Sequence, residues 1–296
     1  MTERTPEEKR LPDPAAAPES PAATSSTGTL ACAPSFTTPR PRHSPLNTYT
    51  SARVSLQQAG HSLATAEVLQ LQLAAAQARD AVHASLDVQQ LTQGLQQRNL
   101  PALVLASAAK TRADYLRNPT LGRTLSNQAE TTLRNLSAES PNASPSYGLA
   151  VVIADGLSAL AVERHALPLL DAVLPLLDPT WRIAPICIVE QARVAIADPI
   201  GEILNAHLSV ILIGERPGLS SPDSLGVYIT WHPRPGRTDA ERNCISNIRP
   251  EGLSCAEAAR LLHFYLTESR RQQQSGTLLK PASATPPQPP LPPCKL

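Results

Sequence analysis

Three short stretches of the chain place polar, charged and small residues directly after apolar runs, and they are the first candidates for chemistry. In open α/β sheets, ligands bind beyond the carboxyl ends of the strands, so we expect these stretches to meet at one ligand site. The third opens a long loop dense in polar groups, as functional loops often are. A surface loop without function is the alternative. The stretches are Asp155–Ser158, Glu190–Val194 and Gly214–Gly218.

The serine of the first stretch raises the question of nucleophilic catalysis. In α/β hydrolases a strand-to-helix turn of pattern G-x-S-x-G exposes such a serine. Gly156 and Ser158 fit, but Leu160 stands in place of the second glycine and the sequence indicates no partner histidine. An independent hydrolase is therefore disfavoured, and a helix N-cap is the favoured role for Ser158.

A cluster of arginines interleaved with acidic residues follows the apolar run Val227–Trp231. Arginine pairs with phosphate in a bidentate geometry, so the cluster could clamp a phosphate. A loop held by its own salt bridges, or a subunit interface, explains the same pattern equally well. The cluster comprises Arg234, Arg237, Arg242 and Arg249, with Asp239 and Glu241 between them.

Cys244 lies among polar residues in the same region, within the string NCISN. A nucleophilic thiol needs a lowered pKa and a nearby base, and the sequence shows neither. A packing or backbone-contact role is therefore favoured for Cys244. The five cysteines lack CxxC spacing and the seven histidines include no pair at metal-ligand spacing, so neither a disulfide framework nor a metal site is predicted.

The overall composition excludes several classes of function. A formal net charge of +1 and an aromatic content of 3% argue against nucleic-acid binding. No G-x-G-x-x-G follows a strand and no G-x-x-x-x-G-K-[ST] occurs, so ordinary dinucleotide and nucleoside-triphosphate sites lack support. The N-terminal residues MTERTPEEKR do not form a secretory signal, and the apolar runs are too short to cross a membrane. The sequence predicts a cytoplasmic protein.

Continuous apolar runs, separated by helical patterns, must position these candidate residues. Runs of this kind are typical of a parallel sheet covered on both faces. The predicted fold class is therefore α/β: a helical N-terminal region followed by a doubly wound, mainly parallel sheet domain. Strands are predicted at Leu103–Ser107, Leu149–Ala154, Ile183–Val189, Leu208–Ile213 and Val227–Trp231.

Helices are predicted from apolar periodicity and from capping residues. Asp198 is expected to cap a short helix with Pro199 at its first position. In the helix-like stretch Ser158–Leu177, Pro168 and Pro175 are expected to cause a kink or a split. The other predicted helices are Thr65–Ala84, Asp87–Gln97, Leu125–Ser137 and one that begins at Ser254 with a capping box.

Proline marks both ends of the chain. Of the 30 prolines, nine lie in Met1–Thr50 and seven in Pro281–Leu296, within segments poor in large apolar residues. Such segments bury too little surface to offset chain entropy, so disorder is predicted there. The predicted division is a disordered tail at 1–50, a helical region at 51–146, an α/β ligand-contacting domain at 147–275 and a disordered proline-rich tail at 276–296.

Six stretches of the sequence are distinctive enough to indicate a family. They are ARDAVHASLDV, DYLRNPTLGRTL, VVIADGLSALAV, ARVAIADPIGEIL, LIGERPGLSSPDSLGVYIT and DAERNCISNIRPEGLS. Together and in this order they resemble the small (light) subunit of ethanolamine ammonia-lyase, and six ordered stretches are far more specific than one short motif. The resemblance covers most of Ser51–Leu266 and leaves out both proline-rich tails.

The resemblance implies an adenosylcobalamin-dependent enzyme that converts ethanolamine to acetaldehyde and ammonia by radical chemistry. In that family the substrate and most catalytic groups lie on a large barrel subunit, and the small subunit closes over the corrin from the other side. The chain is therefore expected to be active only in a hetero-oligomer with the large subunit. Residues 147–275 become the expected cobalamin-contacting domain.

Three cobalamin contacts are carried over from the family, and no catalytic residue is assigned to this chain. They are Val194, Glu215 and Cys244. Glu215 can accept hydrogen bonds from the amide side chains that rim a corrin, while Val194 and Cys244 are small enough for their backbone to come close. The D-x-H-x-x-G motif that supplies a histidine to cobalt in other cobalamin folds is absent, consistent with the cofactor's own base as lower ligand.

The sequence departs from the family pattern at a few positions. Ala192 stands where glycine is usual, Pro199 where Gln or Glu is common, and 57–60 replaces a more basic turn. Some relatives carry an N-terminal amphipathic helix that directs them into a bacterial microcompartment, and 1–50 shows no such helix. The alternative function is a non-catalytic cobalamin-binding or scaffolding subunit that has lost turnover, against which the intact Glu215 and Cys244 argue.

Overall fold

The computed structural model describes residues 53–54, 56, 58–138 and 147–280. The predicted tail at 1–50, residues 281–296 of the predicted tail at 276–296, and the polar loop at 140–146 lie outside the described residues, as does Gln57. The described strands are β1 (Gln58–Ala59), β2 (Ser62–Leu63), β3 (Ala102–Ala106), β4 (Leu149–Ala154), β5 (Ile186–Glu190), β6 (Leu208–Gly214), β7 (Leu225–Trp231) and β8 (Arg242–Ile248). The described helices are α1 (Thr65–His83), α2 (Val88–Gln97), α3 (Arg112–Arg117), α4 (Asn127–Ala138), α5 (Ala159–Val173), α6 (Ala197–Ile203) and α7 (Cys255–Gln272).

Six of the strands form one sheet in the order β3-β5-β4-β6-β7-β8. The first four strands in this order run parallel, and β7 and β8 add an antiparallel edge. The mainly parallel α/β fold predicted from the sequence is therefore confirmed. Since β5 lies on one side of β4 and β6 on the other, the direction of winding reverses at the carboxyl end of β4.

Alternate residues of β4 enter two separate cores. Val151 and Ile153 pack with α5 and α7 on one face of the sheet. Val152 and Ala154 pack with α4 and α6 on the other face. A strand covered on both faces must be apolar throughout, which is why the run LAVVIA is continuous rather than alternating.

Of the two outer strands of the sheet, one was predicted and one was not. β3 confirms the predicted strand near Leu103–Ser107, and it pairs in parallel with β5. The sheet thus draws a strand from the region predicted to be mainly helical, across the expected boundary at 146. β8 was not predicted, because its sequence RNCISNI is largely polar and contains no continuous apolar run.

The α5 helix passes through Pro168 without being split. A proline inside a helix leaves the carbonyl four residues earlier without its usual donor. That carbonyl belongs to Arg164, on the exposed side of α5, where water can supply a hydrogen bond. The predicted split falls instead at Pro175, within a short 3₁₀ turn over Leu174–Leu176.

The predicted N-cap at Asp198 is wrong. The α6 helix begins at Ala197 without a side-chain cap, so Asp198 lies inside its first turn. The Asp198 carboxylate accepts hydrogen bonds from Arg242 Nη1 and Nη2, each at 2.7 Å. Both side chains are only 2% exposed. Leaving a buried guanidinium without a charged partner costs more free energy than leaving a helix end without a cap. The side chain of Asp198 therefore pairs with Arg242 instead of capping α6.

The chain remains ordered past the predicted end of the folded domain. The α7 helix begins with the predicted capping box, in which Ser254 Oγ accepts from the backbone N of Glu257 at 3.3 Å. Residues 276–280, assigned to the disordered tail, pack against β8 instead. The side-chain amide of Asn243 donates to the carbonyls of Gly276 and Leu279 at 2.9 and 3.0 Å, and the Leu279 side chain is buried.

Candidate functional site

The three candidate stretches meet at the carboxyl edge of the sheet, as predicted. They follow β4, β5 and β6, whose parallel alignment places their ends together. Between them lies a cavity of about 390 Å³. It occupies the position where the winding of the sheet reverses, the usual ligand site of such folds. Its walls are formed by Tyr115, Gly156, Leu157, Arg193, Val194, Ile213, Gly214, Glu215, Arg216 and Tyr228.

Two glycines allow the chain to cross closely beside this cavity. A Cβ added to Gly214 would lie 2.0 Å from the carbonyl oxygen of Ser158, which is an impossible contact. A Cβ added to Gly156 would lie 2.3 Å from the Gly214 carbonyl oxygen, and Gly156 also has a φ of +57°. Both positions therefore require glycine for the cavity to keep its shape.

Glu215 occupies one wall of the cavity with its carboxylate held in place. Oε2 accepts from Ser224 Oγ at 2.5 Å and from the backbone N of Asn247 at 3.2 Å. Oε1 accepts from Ser246 Oγ at 2.5 Å. A carboxylate can accept about four hydrogen bonds, so this arrangement orients Glu215 and leaves capacity for a ligand donor. The sequence did not indicate the two serines or Asn247 as partners.

Val194 also lines the cavity, in a loop that a buried hydrogen-bond network holds in place. Asp155 Oδ1 accepts from the backbone N of Ala192 at 3.1 Å, and Asp155 Oδ2 accepts from Arg112 Nη1 at 3.2 Å. The Tyr115 hydroxyl donates to the Ala192 carbonyl at 3.1 Å. Burial raises the pKa of Tyr115 to about 12, so the hydroxyl stays protonated and remains a donor. Neither Arg112 nor Tyr115 was identified from the sequence, although Tyr115 lies within the DYLRNPTLGRTL stretch.

Cys244 is not among the residues that line the cavity. It lies on β8 opposite Tyr228, with which it shares a hydrogen bond, and Tyr228 forms part of the cavity wall. Partial burial and the charge of Glu215 raise the pKa of the Cys244 thiol. A raised pKa disfavours the thiolate, in agreement with a contact role rather than a nucleophilic one. Val194 and Glu215 thus line the same cavity, and Cys244 lies next to Tyr228 on the neighbouring strand.

Ser158 has the structural role predicted for it. Its Oγ accepts from the backbone N of Ala161 at 3.2 Å and donates to the Pro222 carbonyl at 2.8 Å. The side chain caps α5 and is fully buried. A serine enclosed in this way offers no nucleophile to a substrate, which removes the basis for the hydrolase hypothesis.

The predicted arginine cluster is largely neutralised by its own contacts. Arg242 pairs with Asp198, and Arg237 pairs with Glu241. Arg249 donates to the Asn247 side-chain oxygen at 2.8 Å and to the Ser220 carbonyl at 3.0 Å. These contacts support the interpretation as a salt-bridged loop for three of the four arginines. Arg234 is exposed in the same loop.

Two further features are absent from the described residues. No helix there is both long enough and apolar enough to span a bilayer. No group of three or more His, Cys, Asp or Glu side chains there is arranged to hold a metal ion.

Sequence comparison over most of the chain identifies its family. The family model for the ethanolamine ammonia-lyase light chain (EutC) matches residues 41–280. The chain belongs to the ethanolamine ammonia-lyase light chain family. This confirms the resemblance that the six sequence stretches indicated, and the match ends where the described residues end.

Curated relatives of this light chain family carry the same name across several bacteria. The chain is 56% identical to the ethanolamine ammonia-lyase small subunit of Azotobacter vinelandii over 79% of this chain and 86% of that protein. It is 52% identical to the small subunit of Pseudomonas paraeruginosa, over 80% of this chain and 86% of the relative. It is 51% identical to that of Xanthomonas campestris pv. campestris, over 82% and 89% respectively.

Proposed function

We propose that the chain is the small subunit of an active ethanolamine ammonia-lyase and forms one wall of its adenosylcobalamin site. In this proposal the complex converts ethanolamine to acetaldehyde and ammonia, and the large subunit carries the substrate and most catalytic groups. The observation that carries the proposal is the cavity at the carboxyl edge of the sheet, which both Val194 and a hydrogen-bonded Glu215 line. Membership of the ethanolamine ammonia-lyase light chain family supports the reaction, and the adenosylcobalamin cofactor is what the sequence resemblance implies.

The chemistry of the cavity suits a corrin. A corrin presents an apolar face surrounded by amide side chains, and the cavity combines apolar walls with a polar rim. Leu157, Val194 and Ile213 supply apolar surface, and Glu215 supplies an anionic acceptor for amide N–H groups. A cavity of about 390 Å³ is too small to enclose a whole corrinoid. A second surface must therefore complete the site, as a large subunit would.

Each of the three proposed contact residues has a distinct task. Glu215, oriented by Ser224 and Ser246, accepts a hydrogen bond from the rim of the cofactor. Val194, in the loop fixed by the Asp155 network, supplies apolar surface. Cys244 is exposed on β8, directly across from Tyr228 of the cavity wall. A thiol held protonated by partial burial is suited to contact and is a poor reductant for a cofactor.

The bound cofactor would supply the radical chemistry, which no side chain of this protein can perform. This chain's contribution is to bind, to orient and to exclude water from one side. Accordingly, no catalytic residue is assigned to it.

The test is co-expression of the full chain with its large subunit, followed by measurement of acetaldehyde release from ethanolamine. Activity should require both chains and adenosylcobalamin. Glu215→Gln keeps the size of the side chain but removes the anionic acceptor, so cobalamin affinity should fall by about tenfold, the value of one hydrogen bond to a charged group. Glu202→Gln, an exposed position on α6 away from the cavity, is the matched control.

Two outcomes would redirect the assignment. A complex that binds cobalamin without turnover would favour the non-catalytic binding or scaffolding subunit. An active complex whose cobalamin affinity is the same in wild type, Glu215→Gln and Glu202→Gln would show that Glu215 is not a cofactor contact.

A further inference from the structure

A second recess, lined largely by arginines, lies beside the cavity at the sheet edge. Its volume is about 570 Å³. The two spaces share Arg193, Val194 and Tyr228 as walls, so a ligand in the first could extend into the second. The remaining walls of this arginine recess are Arg123, Ala195, Arg237, Thr238, Asp239 and Arg242.

The four arginines of the recess differ in how their charge is compensated. Arg242 and Arg237 pair with carboxylates that lie outside the recess walls, Asp198 and Glu241. Arg123 and Arg193 have no carboxylate partner among the described residues. Asp239 lines the recess, but its side chain is fully exposed and lies 3.6 Å from Arg242 rather than beside either of these two. The recess therefore carries uncompensated positive charge.

Stacking on an aromatic ring restricts the conformations of the Arg193 side chain before any ligand binds. Its guanidinium carbon lies 4.4 Å from the centroid of the Tyr115 ring. Nη2 reaches the Tyr115 carbonyl only at 3.4 Å, and Nε is buried without a hydrogen-bond partner. A stacked guanidinium has lost much of its freedom before binding, and an unpaired buried N–H gains from any acceptor that arrives.

A close backbone contact between Gly122 and Arg193 places Arg123 at the same recess. The backbone N of Arg193 donates to the carbonyl of Gly122 at 2.7 Å. A Cβ on Gly122 would lie 2.8 Å from Arg193 Cγ and 2.9 Å from the Tyr115 ring, so the approach depends on glycine. Two arginines from distant parts of the sequence thus line the same recess.

We propose that Arg123 and Arg193 form a binding site for a phosphoryl group. The guanidinium fork matches the geometry of phosphate oxygens, and two forks flanking one recess can divide the charge of a phosphodiester or a phosphate between them. The recess is continuous with the proposed corrin cavity, which favours the phosphodiester in the nucleotide tail of cobalamin as the source. That choice of source rests on the proposed function; inorganic phosphate is the other source of the same chemistry.

The experiment compares two corrinoids that differ in the nucleotide tail. Equilibrium dialysis of the two-subunit complex measures the affinity for cyanocobalamin, which has the phosphodiester, and for cobinamide, which lacks it. Arg123→Gln should weaken cyanocobalamin binding by about tenfold or more and leave cobinamide binding unchanged. Arg123→Lys, which keeps the charge but not the fork, should recover part of the loss. Arg234→Gln, exposed in the loop after β7, is the matched control and should change neither.

Inorganic phosphate at constant ionic strength distinguishes the two sources. If the recess holds the cofactor's phosphodiester, phosphate should compete with cyanocobalamin but not with cobinamide. If it holds free phosphate, both corrinoids should bind undisturbed while labelled phosphate is retained by wild type and lost by Arg123→Gln.

The proposal is overturned if Arg123→Gln changes the two corrinoid affinities equally and retains as much phosphate as wild type. A complex that binds neither corrinoid would contradict the proposed function instead. In that event, phosphate retention by wild type and its loss in Arg123→Gln would still support the phosphoryl site, and absence of retention would overturn it.

Discussion

The parallel part of the sheet and its antiparallel edge are held together by different forces. In β4, β5 and β6 nearly every side chain is apolar and buried, and the backbone crossings at Gly156 and Gly214 leave no room for a Cβ. At β8 the important contacts are ionic or polar, such as Arg242 with Asp198 and Ser246 with Glu215. Close apolar packing therefore stabilises the parallel strands of the site, whereas ion pairs and hydrogen bonds stabilise its antiparallel edge.

The strongest test of this contrast removes a charge from the edge. Arg242→Ala leaves the Asp198 carboxylate buried without a partner, so we expect a loss of about 3–5 kcal/mol in the free energy of unfolding. Urea denaturation measures this. Arg134→Ala, which breaks an exposed pair with Glu130, should cost less than about 1 kcal/mol. Replacing both buried partners by apolar residues, Asp198→Leu with Arg242→Met, should recover much of the loss. Equal effects of Arg242→Ala and Arg134→Ala would break the comparison.

The next test introduces a larger side chain into the parallel part of the sheet. Gly214→Ala brings a methyl group to 2.0 Å from the Ser158 carbonyl, and the backbone must move to relieve it. We expect a loss of about 1–3 kcal/mol or more, as for overpacked cores, seen as a lower thermal midpoint. The control is Gly218→Ala, where the new methyl group meets only the Ser221 hydroxyl at 2.8 Å and that side chain can rotate. Similar midpoints for the two variants would show that the crossing at Gly214 is not tightly constrained.

The smallest expected effect concerns pH at the edge. The backbone N–H of Thr238, the guanidinium of Arg237 and the Thr238 hydroxyl lower the pKa of Glu241 from 4.5 to about 2. Since the folded pKa is the lower one, the ionised Glu241 stabilises the fold above pH 4.5, and this contribution is lost as the pH falls towards 2. Stability measured across that window should fall less steeply for Glu241→Gln. Glu202→Gln should retain the wild-type slope, and a slope unchanged in Glu241→Gln would contradict the assignment.

The same contrast explains which elements the sequence could predict. The strands β4, β5, β6 and β7 follow from apolar composition, because a strand buried on both faces has few other solutions. The strand β8 does not, since RNCISNI derives its stability from pairing with β7 and from partners distant in sequence. Asp198 was misassigned for a related reason: its position before Pro199 is a local signal, and its partner Arg242 is not local.

The sequence predicted where the candidate site lies but not the contacts that hold its residues in place. Strand ends identified the three stretches that line the cavity, and the family resemblance selected Val194 and Glu215 within them. The residues that fix these two could not be found in this way. Arg112 and Tyr115 come from α3, outside the strand-end loops. No spacing rule connects Arg112 to Asp155 or Tyr115 to Ala192. Docking of Leu279 beyond the predicted tail boundary likewise depends on a distant amide, that of Asn243.

The position of β3 has a consequence for any attempt to divide this protein. A fragment beginning at Tyr147 would leave β5 with an unpaired edge, since β3 covers it in the whole chain. Such an edge readily recruits strands from other molecules, so the fragment would tend to aggregate. It would also lack Tyr115, whose ring supports Arg193 and whose hydroxyl holds the Ala192 carbonyl. Truncations for crystallisation or for split reporters should therefore keep residues 102–138 attached to the sheet.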